Sequence, residues 1–121
     1  MELQTERWLE SFLLLVGLPD NSISEKMEFS HPHYNFYIEY INDNIVFTIG
    51  KIIEPAYREK ILLKILSKCF PARTKGTLLR PWIAGDYLML SCTVNTTSSI
   101  HHWVYCFKTM QKLLDEVVGI K

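Results

Sequence analysis

Along the first sixteen residues Trp8, Leu9, Phe12, Leu13, Leu15 and Val16 recur at three- and four-residue steps, the period of one helix face. Glu2, Glu6 and Arg7 lie toward the start, and Gly17 followed by Pro19 supplies a helix end. The spacing predicts a first helix over 3–16. From Ile23 to Phe29 the period becomes two, with Ile23, Met27 and Phe29 apolar and Ser24, Lys26 and Glu28 polar. Residues 34–41 and 45–53, aromatic and β-branched, predict two more strands. Asn42-Asp43-Asn44 between them carries side chains that tolerate left-handed turn geometry. The three read as an antiparallel meander.

At Glu54-Pro55 the period returns to that of a helix, because Pro fits a first helical turn and Tyr57, Ile61, Leu62, Ile65, Leu66 and Cys69 share one stripe. Pro71 and Gly76 end this second helix. Thr77–Ile83 and Tyr87–Val94 predict two further strands joined by the hairpin-length Ala84-Gly85-Asp86, and Pro81 marks the first as an edge strand or a bulge. The hydroxyl-rich 95–99 can cap a last helix whose stripe is Val104, Phe107, Met110, Leu114, Val117 and Val118. The predicted order is α-β-β-β-α-β-β-α. This is an α+β domain in which helices pack on a twisted antiparallel sheet.

Composition narrows the function. A chain of 121 residues makes one domain, 1–121, and buries about two-thirds of its surface without disulfides or metal. Thirteen basic residues balance thirteen acidic ones, so no net field attracts a polyanion, and no basic run exists to hold nucleic acid. No stretch approaches the roughly 20 apolar residues of a membrane span, and Phe12–Val16 lacks the basic start of a signal peptide. Three widely spaced cysteines, Cys69, Cys92 and Cys106, fit reduced buried thiols. A cytoplasmic location follows as the expectation.

Candidate chemistry is sparse. His31-Pro32-His33 could present two imidazoles to a metal, but no cysteine or carboxylate flanks it at ligand spacing, and His101 and His102 diverge by about 100° on a helix. Cys69 lies near a helix C-terminus, whose dipole disfavours a thiolate, and Cys92 and Cys106 lie on apolar stripes. Asp115 and Glu116 are adjacent on a helix and read as a solvated face. The five glycines form no phosphate loop, and Tyr34, Phe36, Tyr37 and Tyr40 lack the basic rim of a base-stacking sheet. No catalytic residue, metal or cofactor is expected. What remains is an apolar content of 48%, slightly generous for one small domain, which suggests a surplus buried against a partner.

The order of elements, the helix ending Leu14-Leu15-Val16-Gly17-Leu18-Pro19, and the final third from Leu79-Arg80 through Trp82, Gly85, Leu88-Met89-Leu90 and the Leu-rich helix to Val118 carry a resemblance. The chain resembles the class I type III secretion chaperones, and within them is most similar to the SycN type, which serves a gatekeeper of the secretion apparatus. The resemblance implies a non-catalytic, ATP-independent bacterial cytoplasmic protein. It would bind the N-terminal segment of a secreted or gatekeeper protein and keep it soluble and export-competent. It also implies a dimer through the second helix and the strands after it, carried here by Tyr57, Ile61, Ile65, Trp82, Leu88 and Leu90. Cargo would lie on the first helix and first strands, at Trp8, Phe12, Met27, Phe29, Phe36 and Ile38. SycN-type chaperones pair with a different small chaperone, so a heterodimer is expected, with a homodimer otherwise. Such chaperones are usually acidic, and the neutrality of this chain fits an acidic partner subunit. Two alternatives stand beside this reading: a small α+β enzyme or ligand-binding domain with a helix/sheet pocket, and an adaptor without cargo.

Overall fold

The computed structural model describes residues 1–19, 23–70, 72 and 76–119. It contains helix α1 (Leu3–Leu15), strands β1 (Lys26–His31), β2 (Tyr34–Ile41) and β3 (Asn44–Ile52), and a 3-10 turn (Pro55–Tyr57) leading into helix α2 (Arg58–Leu66). Strands β4 (Leu79–Ala84) and β5 (Tyr87–Asn95) and helix α3 (Ile100–Val118) complete it. The predicted order holds. The five strands form one antiparallel sheet in the order β1-β2-β3-β5-β4. The crossover through α2 therefore leaves β4 at one edge and β1 at the other, which accommodates Pro81.

Helix α1 buries Thr5, Leu9, Phe12 and Leu13 along one stripe. It stops at Gly17, which takes φ +75°. There the Leu18 N–H donates to the Leu13 carbonyl at 2.9 Å and the Gly17 N–H to that of Leu14 at 3.2 Å, the paired bonds of a Schellman cap. Leu18 turns back into the core as part of that cap. The Gly-Leu after the helix thus does structural work that the hydrophobic period alone does not reveal.

The strand boundaries differ from the predicted ones where pairing, not local pattern, sets them. β1 starts at Lys26 and runs through His31, because the register extends to His31 opposite Tyr34. β2 and β3 meet at a two-residue turn in which Asn42 (φ 49°) and Asp43 (φ 63°) are both left-handed, the backbone that matches the twist of a tight hairpin. The second helix is shorter than the predicted one: Pro55–Tyr57 forms the 3-10 turn and the α-helical part ends at Leu66. Pro71, predicted as part of its stop, lies outside the described residues. Only Ile65 of α2 is fully buried, so the stripe sits at the rim of the core.

The core lies between α1, α3 and one face of the sheet. Phe12 stacks on Phe47 with ring centroids 4.8 Å apart, and Phe36 meets Phe107 edge-on at 4.7 Å. Trp103, fully buried on α3, satisfies its indole N–H by donating to the Asn95 carbonyl at 3.2 Å. α3 begins at Ser99, whose hydroxyl accepts from the His102 N–H, and buries seven side chains from Trp103 to Val117. On the opposite sheet face the buried Thr48 and Ser91 hydroxyls bond each other at 2.6 Å. Around them Tyr37 and Met89 are part-exposed and Trp82 is exposed.

Candidate functional site

The residues assigned to cargo divide by depth. Phe12 sits on the inward stripe of α1, and Phe36 and Ile38 point inward from β2, so all three are core side chains with no surface to offer. Met27 and Phe29 face the same way from β1 and are nearly as covered. Trp8 alone of the six is half-buried at the surface, its ring edge-on to Trp103 at 6.4 Å. Five of the six are therefore core side chains: Phe12 lies on the stripe that packs α1 onto the sheet, and Met27, Phe29, Phe36 and Ile38 on the inward face of β1 and β2.

The apolar surface of this region comes from residues off that stripe. Leu14 is 80% exposed, and Leu3 and Leu15 are also exposed on α1. Leu15, placed on the inward stripe by period, points outward. Leu14 lines an open depression with Glu10, Ser11, Leu13 and Leu18. Strand β1, at one edge of the sheet, is hydrogen-bonded on one side only, leaving a strand edge beyond Lys26–His31.

The residues assigned to a subunit interface divide in the same way. Ile65, Leu88 and Leu90 are fully buried inside the chain, because β5 is an interior strand and its even-numbered positions face the helices. They correct the assignment. Tyr57 and Trp82 are exposed and Ile61 is part-exposed. The same elements expose further apolar side chains: Leu63, 62% exposed and absent from the predicted stripe, Leu66 on that stripe, and Leu78 just before β4. Leu78, Arg80 and Trp82 line one depression with Val46, Ser91 and Thr93. The available signal was an apolar residue out of phase with its own helix, as Leu14 is on α1 and Leu63 on α2.

The ionisable groups are arranged structurally. Lys51, buried on the inward side of β3, donates to Asp115 Oδ1 of α3 at 2.7 Å, and Lys68 reaches Glu116 at 3.6 Å. Asp115 and Glu116, read as a solvated face, instead anchor different elements. His31 Nδ1 accepts from the His33 N–H at 3.2 Å, and its ring stacks on Tyr34. His102 Nε2 meets Thr77 Oγ1 at 2.8 Å and Cys106 Sγ at 3.6 Å. A hydrogen bond to Cys106, and then burial, push the Cys92 thiol's pKa up, which disfavours a thiolate. Among the described residues no group of three or more His, Cys, Asp or Glu is placed to hold a metal ion. None of their helices is long and apolar enough to cross a membrane.

Comparison with known proteins turns this arrangement into a family. The model of the SsaM family matches residues 2–117. The chain belongs to the SsaM family. Its similarity to the secretion system apparatus protein SsaM of Salmonella typhimurium is 28% identity over 115 residues, covering 94% of this chain and 93% of that one. The SsaM fold seen here is that of the type III secretion chaperones. It superposes on Yersinia pestis SycH, solved with a fragment of YscM2, at TM-score 0.64, with 18% identity and coverage of 97% and 99%. The match to the ExoT–SpcS complex of Pseudomonas aeruginosa has TM-score 0.62, 10% identity and coverage of 97% and 99%. E. coli YbjN, a candidate transcription regulator, shares the fold at TM-score 0.60, with 11% identity and coverage of 98% and 90%. Fold alone therefore does not specify chaperoning; the exposed apolar surfaces have to carry that argument.

Proposed function

We propose that this SsaM-family protein is a non-catalytic, ATP-independent chaperone of a type III secretion system. In the bacterial cytoplasm it binds the N-terminal segment of a secreted or gatekeeper protein and keeps that segment soluble and export-competent. The observation that carries the reading is the pair of exposed apolar surfaces on a chain matched to SsaM over 2–117. One comprises Leu14 and Leu15 of α1; the other comprises Leu63 and Leu66 of α2 and Trp82 of β4, two elements in contact with each other.

An extended cargo segment fits the first surface. Leucines on α1 take apolar side chains, and the β1 edge offers backbone hydrogen bonds to an added strand. Ordering an unfolded segment costs free energy that only a long contact offsets, so a helix face and a strand edge used together are better suited than a pocket. The second surface fits a subunit contact through Tyr57, Ile61, Leu63 and Trp82, in a heterodimer with a second small chaperone or, failing that, a homodimer. The solved neighbours support cargo binding, not the subunit contact, by analogy: SycH was solved with a YscM2 fragment and SpcS with ExoT.

The test is co-expression with the secreted and gatekeeper proteins of the same secretion system. A stable complex that raises cargo solubility is expected. Failure to retain any of them, with the chain itself folded, contradicts the proposal.

A further inference from the structure

Two cysteines meet inside the core. The even-numbered positions of β5 face the helices, which turns Cys92 inward, and Cys106 lies on the buried stripe of α3. Their thiols are hydrogen-bonded to each other. A hydrogen bond that raises the pKa of Cys92 is one that Cys92 donates, so its S–H is directed at Cys106 Sγ. Cys106 Sγ also meets Nε2 of His102, one helical turn earlier on α3, at 3.6 Å. The same nitrogen lies 2.8 Å from Thr77 Oγ1, two residues ahead of Leu79, and Leu79 is the β4 partner of Cys92. The hydroxyl, the imidazole and the two sulfurs therefore form one connected chain, which runs from the part-buried Thr77 and His102 to fully buried sulfur.

We propose that Cys92 and Cys106 are a redox-active dithiol, which a hydroperoxide converts into a disulfide joining β5 to α3, with His102 as the base. The thiolate, not the thiol, attacks a peroxide. His102 Nε2 is placed to take the Cys106 proton, and the Cys92 S–H to stabilise the sulfur anion that results. One thiol of a pair supports the other in the same way in dithiol oxidoreductases. The Cys106 sulfur attacks one peroxide oxygen and the O–O bond breaks. Cys106 becomes a sulfenic acid, and the departing oxygen takes the proton from His102 and leaves as water or an alcohol. The Cys92 sulfur then attacks the Cys106 sulfur. An S–S bond forms, the S–O bond breaks, and the hydroxyl leaves with the Cys92 proton as water. The two thiols together lose two electrons, and the peroxide gains both. The product ties the N-terminal half of α3 to an interior strand and uses none of the exposed apolar residues.

The test treats the full chain with hydrogen peroxide near neutral pH, both without urea and with urea held below the unfolding transition. After catalase, the protein is unfolded in iodoacetamide, cut with chymotrypsin and mapped by mass spectrometry. Expected is a Cys92–Cys106 disulfide within one chain: both residues escape alkylation, the linked peptides are lighter by two hydrogen atoms, and dithiothreitol in the unfolded state restores alkylation of both. The rate should be unchanged by urea and fall at least about tenfold in His102→Gln. Full alkylation of both cysteines after peroxide, or oxygen added to Cys106 without a disulfide, overturns the proposal. A rate that climbs with urea shows that oxidation follows unfolding, and overturns it as well. So does an undiminished rate in a His102→Gln variant with native circular dichroism; if that variant does not fold, the urea series on the wild type decides.

Discussion

Lys51 on β3 and Asp115 on α3, 64 residues apart, form an ion pair of 2.7 Å in which the lysine side chain is 6% exposed and the carboxylate 43%. The pair pins the C-terminal half of α3 to the inward face of the sheet. Its two ends are unequal: Asp115 can be rehydrated if its partner is lost, whereas Lys51 cannot. Removing the carboxylate should therefore cost more than replacing the lysine by an apolar isostere. Asp115→Ala is expected to lower stability by about 2 kcal/mol, and Lys51→Met by clearly less. Urea denaturation of the two variants checks the order; an equal or reversed order contradicts the assignment.

The cap of α1 gives a second expectation. Gly17 holds φ +75°, a conformation that costs a side-chain-bearing residue roughly 1–2 kcal/mol. A Cβ there meets no atom within 4 Å, so the cost is conformational and not steric. Gly17→Ala should lower stability by about 1 kcal/mol, measured by urea or thermal unfolding, while Gly17→Asn should recover part of the loss.

Phe12 and Leu14 should behave as opposites. Phe12 is buried among Phe36, Phe47, Trp103 and Phe107, and its truncation to Ala should cost about 3–5 kcal/mol. Leu14→Asp should change stability by no more than about 0.5 kcal/mol and yet weaken retention of cargo. Circular dichroism melts paired with co-purification separate the two effects. A Leu14→Asp variant that melts early contradicts its outward placement.

At the β2–β3 turn the Tyr40 hydroxyl donates to Asp43 Oδ1 at 2.7 Å. That hydrogen bond, with burial and nearby carboxylates adding to it, pushes the Tyr40 pKa up to about 12. A phenol whose folded value lies above its unfolded one contributes stability below the unfolded value, near 10, and loses it as pH rises toward 12. Ultraviolet titration of the phenol should show Asp43→Asn lowering its apparent pKa. No change on that substitution contradicts the cause.

The element order was legible because its signals are local. Stripes of period 3.6 gave way to alternation of period two, Pro55 opened a helical turn, and Asn42-Asp43 made a hairpin. What sequence could not place depends on distant partners. β1 reaches His31 because Tyr34 pairs with it, and neither the Lys51–Asp115 pair nor the Thr48–Ser91 bond leaves a mark in any short window. The candidate surfaces were read only in part for the same reason. Period identifies a face but not what covers it, so Phe12, Met27, Phe29, Phe36, Ile38, Ile65, Leu88 and Leu90 fit a binding stripe by spacing although they belong to the core. Leu14 and Leu63, out of phase with their own helices, carry the exposed apolar surface.

If the α1 surface and the β1 edge hold an extended cargo segment, hydrogen exchange on the purified complex will register it at both places. Binding should slow exchange in the cargo's N-terminal segment and along Lys26–His31, and Leu14→Asp with Leu15→Asp should abolish both protections while leaving the core amides of β3 and β5 slow. Protection confined to a folded domain of the cargo, or unchanged exchange along β1 in a stable complex, would contradict it.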